Sequence, residues 1–256
     1  MHRFYLPPEE SQGGTLRLTG DEAHHACHVL RLEAGQRVEV LDGAGTIIGC
    51  EAGNVSRNAL ELIVMCRTHR DPLPCPVTLI QAIPKGKLFE EIVEKAMELG
   101  VSRIVPLISD RVISRPEGED AARKTAKWRR TAIEALKQCG SAWLPSLSPP
   151  VSLVEYLSGE KNTELPLLAS LQPEACEVRD CVASFHARHQ RSPQSASLWI
   201  GPEGDFSPVE TERICREASA HSISLGPWVL RTETAAIAGL AILNHELRID
   251  ARAARL

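Results

Sequence analysis

Hydrophobic and polar residues alternate in short segments over residues 1–70, which predicts a small β-rich unit. The predicted strands are the alternating segments at 15–18, 37–41, 46–49 and 59–64. Asp42 and Gly43 separate the second and third of these segments, and Asp-Gly in this position favours a hairpin. A helix is predicted at 21–31, where acidic residues precede an apolar turn. A unit of this size suits a compact barrel.

The pattern changes after a proline-rich stretch at 71–76, which is typical of a stiff linker between two domains. A nearly continuous apolar strand at 77–83 precedes an amphipathic helix at 87–99 and another strand, a succession that predicts parallel strands joined by a helix. Further strands are predicted at 101–108, 165–171, 198–200 and 221–225, and further helices at 121–137, 174–188, 208–220 and 235–247. We therefore predict a β-rich domain at 1–72 and an α/β domain with a mostly parallel sheet at 73–256.

The last two predicted strands each end in a Gly-Pro turn that leads into a helix. The first turn reads GPEG at 201–204, and the helix after it opens with a capping-box pattern at 207–210. The second turn, at 226–227, precedes RTET at 231–234. Glycines let a ligand approach the backbone, and the carboxyl ends of parallel strands lie at one edge of a sheet. We predict a ligand site here, although each turn alone also suits an ordinary strand–helix connection.

The overall charge of the chain does not favour a nucleic-acid partner. The 256 residues are 43% hydrophobic and 24% charged, with a net charge of −4. The pI is about 6.2, whereas nucleic-acid-binding domains more often have a pI above ~9. In the helix predicted at 121–137, however, Glu134 is the single acid among six basic residues: Arg123, Lys124, Lys127, Arg129, Arg130 and Lys137. This pattern indicates either a phosphate-binding face or an ordinary solvated helix face.

Neither a membrane segment nor a metal site is predicted. No apolar run approaches the ~20 residues of a membrane-spanning helix, and the start of the chain lacks the apolar core of a signal peptide. We therefore expect a cytoplasmic protein without a membrane partner. His24 and His28 lie four residues apart beside Cys27, but no further ligand completes a metal set at a recognisable spacing. The eight cysteines are scattered, so we interpret them as small buried residues.

Four segments resemble the RsmE-type 16S ribosomal RNA (uracil-N3)-methyltransferases of the SPOUT superfamily. The C-terminal pair is GPEGDFSPVE at 201–210 and SLGPWVLRTETA at 224–235. The earlier pair is HHACHVLRLEAGQRVEVLDGAG at 24–45 and PKGKLFEEIVEKAMELGVSRIVPLISDR at 84–111. The resemblance spans most of the chain. Two positions depart from the family pattern, since Asp205 replaces a second glycine and Trp228 stands where arginine is usual.

The resemblance implies a SPOUT-type α/β domain with a trefoil knot at 73–256 and a PUA-like β-barrel domain at 1–72. It also implies S-adenosylmethionine as the methyl donor without a metal, 16S rRNA of the small ribosomal subunit as the substrate, and action as a homodimer. The residues implied to bind the donor are Leu171, Ile200, Gly201, Pro202, Gly204, Leu225, Gly226, Pro227, Leu230, Thr234 and Ala235. Those implied to contact RNA are Arg3, Arg31, Lys85, Lys87 and Arg111.

The implied reaction needs a group that promotes loss of the proton on N3 of uridine, because this nitrogen is a poor nucleophile until the proton is lost. A base removes the proton, or a cation stabilises the anion that forms on O2 and O4. Arg231 is the candidate for anion stabilisation, and Glu233 or Glu203 is the candidate base. Alternatively, Arg231 pairs with Glu233, and Glu203 bonds loop amides.

Two other functions stay open from the sequence. One is a SPOUT methyltransferase that acts on a different RNA or a different atom. The other is a non-catalytic RNA-binding or ribosome-assembly protein that keeps the fold. A nucleotide-dependent dehydrogenase is disfavoured, because no Gly-x-Gly-x-x-Gly follows a predicted strand.

Overall fold

The computed structural model describes residues 1–56, 59–159 and 163–253, the side chains of 248–253 excepted. These residues form two compact units. The first comprises Met1–Pro72 and Ile133–Leu144, and the second comprises Leu73–Ala132 and the described residues from Pro145 onward. The division into functional domains at 1–72 and 73–256 stays a prediction, since the first unit also includes a segment from the middle of the chain.

The first unit contains a five-stranded, mostly antiparallel sheet. Its strands are β1 (His2–Tyr5), β2 (Thr15–Leu18), β3 (Arg37–Leu41), β4 (Thr46–Val55) and β5 (Leu60–His69), in the order β1-β3-β4-β5-β2. Only the β1–β3 pair is parallel among these neighbours. The predicted Asp-Gly hairpin is confirmed between β3 and β4, where one carboxylate oxygen of Asp42 accepts the amides of Ala44 and Thr46 at 2.8 Å each.

One side of this sheet is covered by the predicted helix, which forms α1 (Gly20–His24) and continues as a π-helical turn at His25–Val29. Ala23 and Ala26 pack with Phe4 and Leu16 in the core of the unit. The end of helix α3 (Gly118–Cys139) belongs to the same unit. It is held by an ion pair of 2.7 Å between Lys137 and Glu22 on α1.

The second unit contains a parallel sheet of seven strands, which confirms the predicted α/β fold class. The strands are β6 (Val77–Ala82), β7 (Arg103–Ile108), β8 (Ser146–Leu147), β9 (Val151–Ser152), β10 (Leu165–Ala169), β11 (Ala196–Ile200) and β12 (His221–Ile223). The order is β12-β10-β11-β6-β7-β8, and β9 also pairs with β7. β8 and β9 were not predicted, because two residues each are too few for a hydrophobic pattern. The trefoil knot stays a prediction.

Five helices besides α3 belong to the second unit within the described residues. They are α2 (Leu88–Glu98), α4 (Leu153–Ser158), α5 (Val178–His189), α6 (Pro208–Glu217) and α7 (Thr232–Ala253). The predicted capping box of α6 is confirmed, since Ser207 and Glu210 bond reciprocally. α7 begins three residues before the predicted Ala235. Ile80, Leu168 and Trp199 are fully buried in the core, which explains the continuous apolar runs of these strands.

The described residues hold no helix that is both long and apolar enough to span a bilayer. They also hold no group of three or more His, Cys, Asp or Glu side chains arranged for a metal ion. The interpretation of the cysteines as buried residues is wrong for Cys66 and Cys139, which are exposed. The sulfur atoms of Cys176 and Cys181 lie 2.8 Å apart, and burial raises the pKa of the Cys181 thiol to about 12.

Candidate functional site

A pocket lies at the carboxyl ends of β10, β11 and β12, three neighbouring strands of the parallel sheet. Counted out to its open mouth, it has a volume of about 600 Å³. It is an open recess, because part of this volume is continuous with the solvent. Its position is the one that the two Gly-Pro turns indicated in the sequence.

Most residues implied to bind the donor come together in this pocket. Those that line it are Leu171, Ile200, Gly201, Pro202, Leu225, Gly226, Leu230 and Ala235. Gly204, Pro227 and Thr234 lie on the same segments but are not among the lining residues. The lining also includes residues that were not implied as donor contacts: Ala169, Ser170, Glu203, Asp205, Trp228, Val229 and Thr232.

The loop after β11 has a fixed shape that requires glycine at its start. The amide of Asp205 donates to the carbonyl of Pro202 at 2.9 Å, which closes a tight turn. A Cβ atom on Gly201 would lie 2.8 Å from Oδ1 of Asp205 and 3.1 Å from the amide nitrogen of Phe206. Asp205 has a φ of 59°, the left-handed conformation that a glycine adopts easily and that aspartate tolerates. The departure from the family's second glycine therefore preserves the turn.

The same loop is tied to the start of α7 by a buried threonine. The hydroxyl of Thr232 donates to the carbonyl of Gly201 at 2.6 Å and accepts from Nε2 of Gln81 at 2.9 Å. All three residues are buried. Sequence reasoning missed Thr232 as a site residue. A signal was present in Gln81, the one amide in an otherwise largely apolar strand, because a buried amide needs a partner.

Glu203 connects the pocket to the loop after β6. This side chain is exposed and lines the pocket, and its Oε1 accepts the amide of Lys85 at 2.9 Å. Next to it, the guanidinium of Arg111, from the loop after β7, donates to the carbonyl of Gly204 at 2.6 Å. The loops after β6, β7 and β11 therefore meet at one edge of the sheet.

Arg231 and Glu233 flank the pocket without lining it. Arg231 is exposed and its carbonyl accepts the amide of Ala235 at 2.8 Å, the first helical bond of α7. Glu233 is half-buried in the first turn of this helix. No ion pair joins the two side chains within the described part of the chain. Leu230 and Thr232, on either side of Arg231, both line the pocket, so the backbone of Arg231 lies at its edge.

The charge of the pocket is negative. Its lining carries the carboxylates of Glu203 and Asp205, and none of the described lining residues is a lysine, arginine or histidine. Leucine and isoleucine side chains supply apolar walls between the exposed backbone segments. A ligand that combines an apolar, flat part with a positive charge fits this lining better than an anion does.

The five residues implied to contact RNA lie in both units. In the first, Arg3 pairs with Glu39 at 3.0 Å and donates to the carbonyls of Lys137 and Gln138 at 3.2 and 3.0 Å, so its guanidinium is already engaged. Arg31 is exposed, with a φ of 54°. In the second unit, Lys85 and Lys87 follow β6, and Arg111 follows β7; all three are exposed.

Comparison with known proteins gives matches over both parts of the chain. Residues 71–244 match the RNA methyltransferase domain family, and residues 18–65 match the RNA methyltransferase PUA domain family. The matched PUA segment lies within the β-rich unit, and the matched methyltransferase segment includes every residue that lines the pocket.

Individual relatives extend the similarity to almost the full length. Ribosomal RNA small subunit methyltransferase E from Mycobacterium bovis is 31% identical, over 94% of this chain and 90% of the relative. The protein of the same name from Bacillus subtilis is 27% identical, over 97% and 98%. The structure of ribosomal RNA small subunit methyltransferase E from Neisseria gonorrhoeae bound to S-adenosyl methionine superposes with a TM-score of 0.81. It is 30% identical and covers 96% of this chain and 97% of its own.

Proposed function

This chain belongs to the RNA methyltransferase family, and from that premise we propose that it methylates N3 of a uridine in 16S rRNA with S-adenosylmethionine as the donor. The observation that carries the proposal is the pocket at the ends of β10, β11 and β12. It joins apolar walls, accessible backbone and two carboxylates, and it lies within the family's methyltransferase segment.

The residues of the pocket fit such a donor. S-adenosylmethionine, when bound, supplies a methyl group that is activated by a positively charged sulfonium. Glu203 and Asp205 favour this positive charge, and no cation among the described lining residues opposes it. Leu171, Leu225 and Leu230 offer apolar surface for the adenine. Gly201 and Gly226 are both part of the lining, so the backbone of the two Gly-Pro turns borders the donor, and Gly226 has a φ of 122°.

Arg231 stabilises the negative charge that develops on O2 and O4 of the uracil. Arg231 is exposed, and Leu230 and Thr232 beside it line the pocket that a target base must approach to reach the donor's methyl group. A positioned cation lowers the barrier of such a step by about 3 kcal/mol. Arginine also keeps its charge at any physiological pH, so it serves this role without a change of protonation.

Glu203 is the better placed of the two candidate bases. It lines the pocket and is oriented by the amide of Lys85, whereas Glu233 faces the first turn of α7 and does not line the pocket. A carboxylate at the mouth of the pocket accepts the N3 proton while the guanidinium holds the resulting anion. No metal is needed, because the donor itself carries the activation.

The substrate and the assembly are part of the same proposal. The relatives from M. bovis and B. subtilis are named for ribosomal RNA of the small subunit. The RNA proposed for this chain is the 16S rRNA of that subunit, and the proposed place of action is the cytoplasm. The exposed Arg31, Lys85, Lys87 and Arg111 contribute RNA contacts, whereas the guanidinium of Arg3 is held by Glu39 and two carbonyls. The active form is a homodimer, which light scattering of the purified protein at micromolar concentration measures directly.

Single-turnover methyl transfer tests the roles of these residues. Labelled S-adenosylmethionine is mixed with unmodified small subunits and wild-type protein, Arg231→Ala, Arg231→Lys, Glu203→Gln or Glu233→Gln. Arg231→Ala lowers the transfer rate by about 10²–10³ with an unchanged affinity for the donor, and Arg231→Lys recovers part of the loss. Full activity of Arg231→Ala rejects its role, and a larger loss in Glu233→Gln than in Glu203→Gln reverses the assignment of the base.

A further inference from the structure

A second cleft in the same unit shares one loop with the donor pocket. The loop at 84–87, which follows β6, contacts the donor pocket through the amide of Lys85 on Glu203. Pro84, Gly86 and Lys87 of the same loop line the second cleft. This cleft has a volume of about 720 Å³ and its opposite wall is the face of α3. We call it the α2–α3 cleft, after the two helices that border it.

The α2–α3 cleft carries a positive charge. Lys87, Arg123, Lys124 and Lys127 line it, against the single lining carboxylate of Glu90. Glu90 pairs with Lys127 at 2.6 Å, and Asp120, outside the lining, pairs with Arg123 at 2.6 Å and with Lys124 at 3.6 Å. Among the described residues, no carboxylate lies within ion-pair distance of Lys87. Four cations against these two acids leave a local positive surplus in a chain that is negative overall.

The basic side chains stand on a rigid support but stay accessible. The ring of Trp128 on α3 packs against that of Phe89 on α2 with centroids 4.3 Å apart, and both side chains are buried. This contact fixes the spacing of the two helices. Above it, the side chains of Arg123 and Lys127 are 80% and 54% exposed, so both can exchange a carboxylate partner for a ligand at little cost.

The donor pocket and the α2–α3 cleft favour ligands of opposite charge. The donor pocket is negative and disfavours a phosphate, whereas the α2–α3 cleft favours one. When the target base of an RNA strand enters the donor pocket, the phosphates of the nucleotides beside it lie near the shared loop. We propose that the α2–α3 cleft binds the phosphodiester backbone of the RNA substrate beside the target nucleotide, through Lys87, Arg123, Lys124 and Lys127.

This inference rests on the proposed function in one respect, that the substrate is RNA. The basic helix was open to two interpretations in the sequence, a phosphate-binding face or a solvated face. The structure divides it, since Arg123, Lys124 and Lys127 line the cleft, whereas Arg130 on the same helix is exposed outside it. Only the first group should therefore contribute to RNA binding through the cleft.

The test compares Arg123→Glu with Arg130→Glu, two identical charge reversals at exposed positions of one helix. The full-length protein is titrated with a fluorescent single-stranded RNA at several salt concentrations. Arg123→Glu raises the Kd for RNA about tenfold and reduces the steepness of the salt dependence by about 0.7. Arg130→Glu changes the Kd less than twofold. Lys127→Glu serves as an independent cleft variant and behaves as Arg123→Glu does.

If both arginine reversals weaken RNA binding equally, the proposal is overturned, because the general positive charge of the helix would then account for binding. An unchanged Kd in Arg123→Glu and Lys127→Glu overturns it as well. So does competition by millimolar inorganic phosphate at constant ionic strength, which marks a site for a small anion. Calorimetric affinity for S-adenosylmethionine is measured in parallel and stays unchanged in all variants. If the wild type binds RNA but transfers no methyl group, the proposed function is rejected, and the proposal that the cleft binds RNA is unaffected.

Discussion

Nε2 of Gln81 donates a hydrogen bond of 2.9 Å to the hydroxyl of Thr232, 151 residues away in the sequence. The hydroxyl in turn donates a hydrogen bond of 2.6 Å to the carbonyl of Gly201. A central strand, the turn after β11 and the first turn of α7 are thus joined by one buried side chain. The donor pocket depends on this connection, because Gly201 and Thr232 are both part of its lining.

Thr232→Val removes the hydroxyl and keeps the shape of the side chain. The carbonyl of Gly201 then loses its donor and Gln81 loses an acceptor in a buried place, so the free energy of unfolding falls by about 1–3 kcal/mol. Thr232→Ser keeps the hydroxyl, so its free energy of unfolding falls by less than half as much as that of Thr232→Val. Urea denaturation of both variants gives the two values, and a loss in Thr232→Ser as large as that in Thr232→Val would show that the methyl group contributes as much as the hydrogen bonds.

Gly201→Ala forces the turn after β11 to move. The new Cβ would lie 2.8 Å from Oδ1 and 3.2 Å from Cα of Asp205, and the second of these atoms belongs to the backbone. We expect the affinity for S-adenosylmethionine to fall at least about tenfold, since turn strain of roughly 1–3 kcal/mol acts directly on the pocket. Gly14→Ala is the matched control, because a Cβ there meets no atom within 4 Å. Calorimetry that finds equal affinities in both variants contradicts the close packing of this turn.

Much of the fold could be predicted, because local patterns determine long elements. The apolar run of β6 and the capping box at Ser207 and Glu210 need only neighbouring residues. The Gly-Pro turns also indicated the edge of the sheet at which the pocket lies. The left-handed backbone of Asp205 agrees with the tolerance that aspartate has for it.

Other features depend on partners that are distant in sequence. The bond between Gln81 and Thr232 has no local signature apart from an amide in an apolar strand. The end of α3 packs into the first unit, where Lys137 donates to Glu22, a residue more than a hundred positions earlier in the sequence. Neither pair follows from periodicity or spacing, and β8 and β9 are too short to show a pattern.

Glu203→Gln removes one negative charge from the donor pocket with little change of shape. S-adenosylmethionine carries a positive sulfonium and S-adenosylhomocysteine does not, so the substitution weakens the first ligand more than the second. We expect the ratio of the two affinities to change roughly fivefold. Calorimetry with both ligands measures this ratio. An unchanged ratio would show that the carboxylate does not act on the charge of the donor.

The ion pair between Arg191 and Glu164 makes stability depend on pH. Two bonds of 2.7 Å from the guanidinium, with a third from the amide of Gln194, lower the pKa of Glu164 from 4.5 to about 2. Since the pKa is lower in the folded state, the pair stabilises fully above about pH 4.5, and this stabilisation is lost as the pH falls toward 2.

Arg191→Met therefore lowers the free energy of unfolding near neutral pH and not near pH 2. Both side chains are a third or more exposed, so solvent screening keeps the effect small. Urea denaturation of the wild type and the variant at about pH 7, 3 and 2 measures the difference, which should shrink with each step. If the difference in the free energy of unfolding between wild type and variant grows at the lower pH, the ion pair does not cause it.

We propose that the pocket at the ends of β10, β11 and β12 serves the methylation of uridine N3 in 16S rRNA. The most direct measurement is nucleoside mass spectrometry of 16S rRNA after small subunits that lack the modification are incubated with the protein and labelled S-adenosylmethionine. The account predicts labelled N3-methyluridine with the wild type and a loss of at least about 100-fold with Arg231→Ala. Label in another nucleoside, or none despite measurable donor binding, would contradict it.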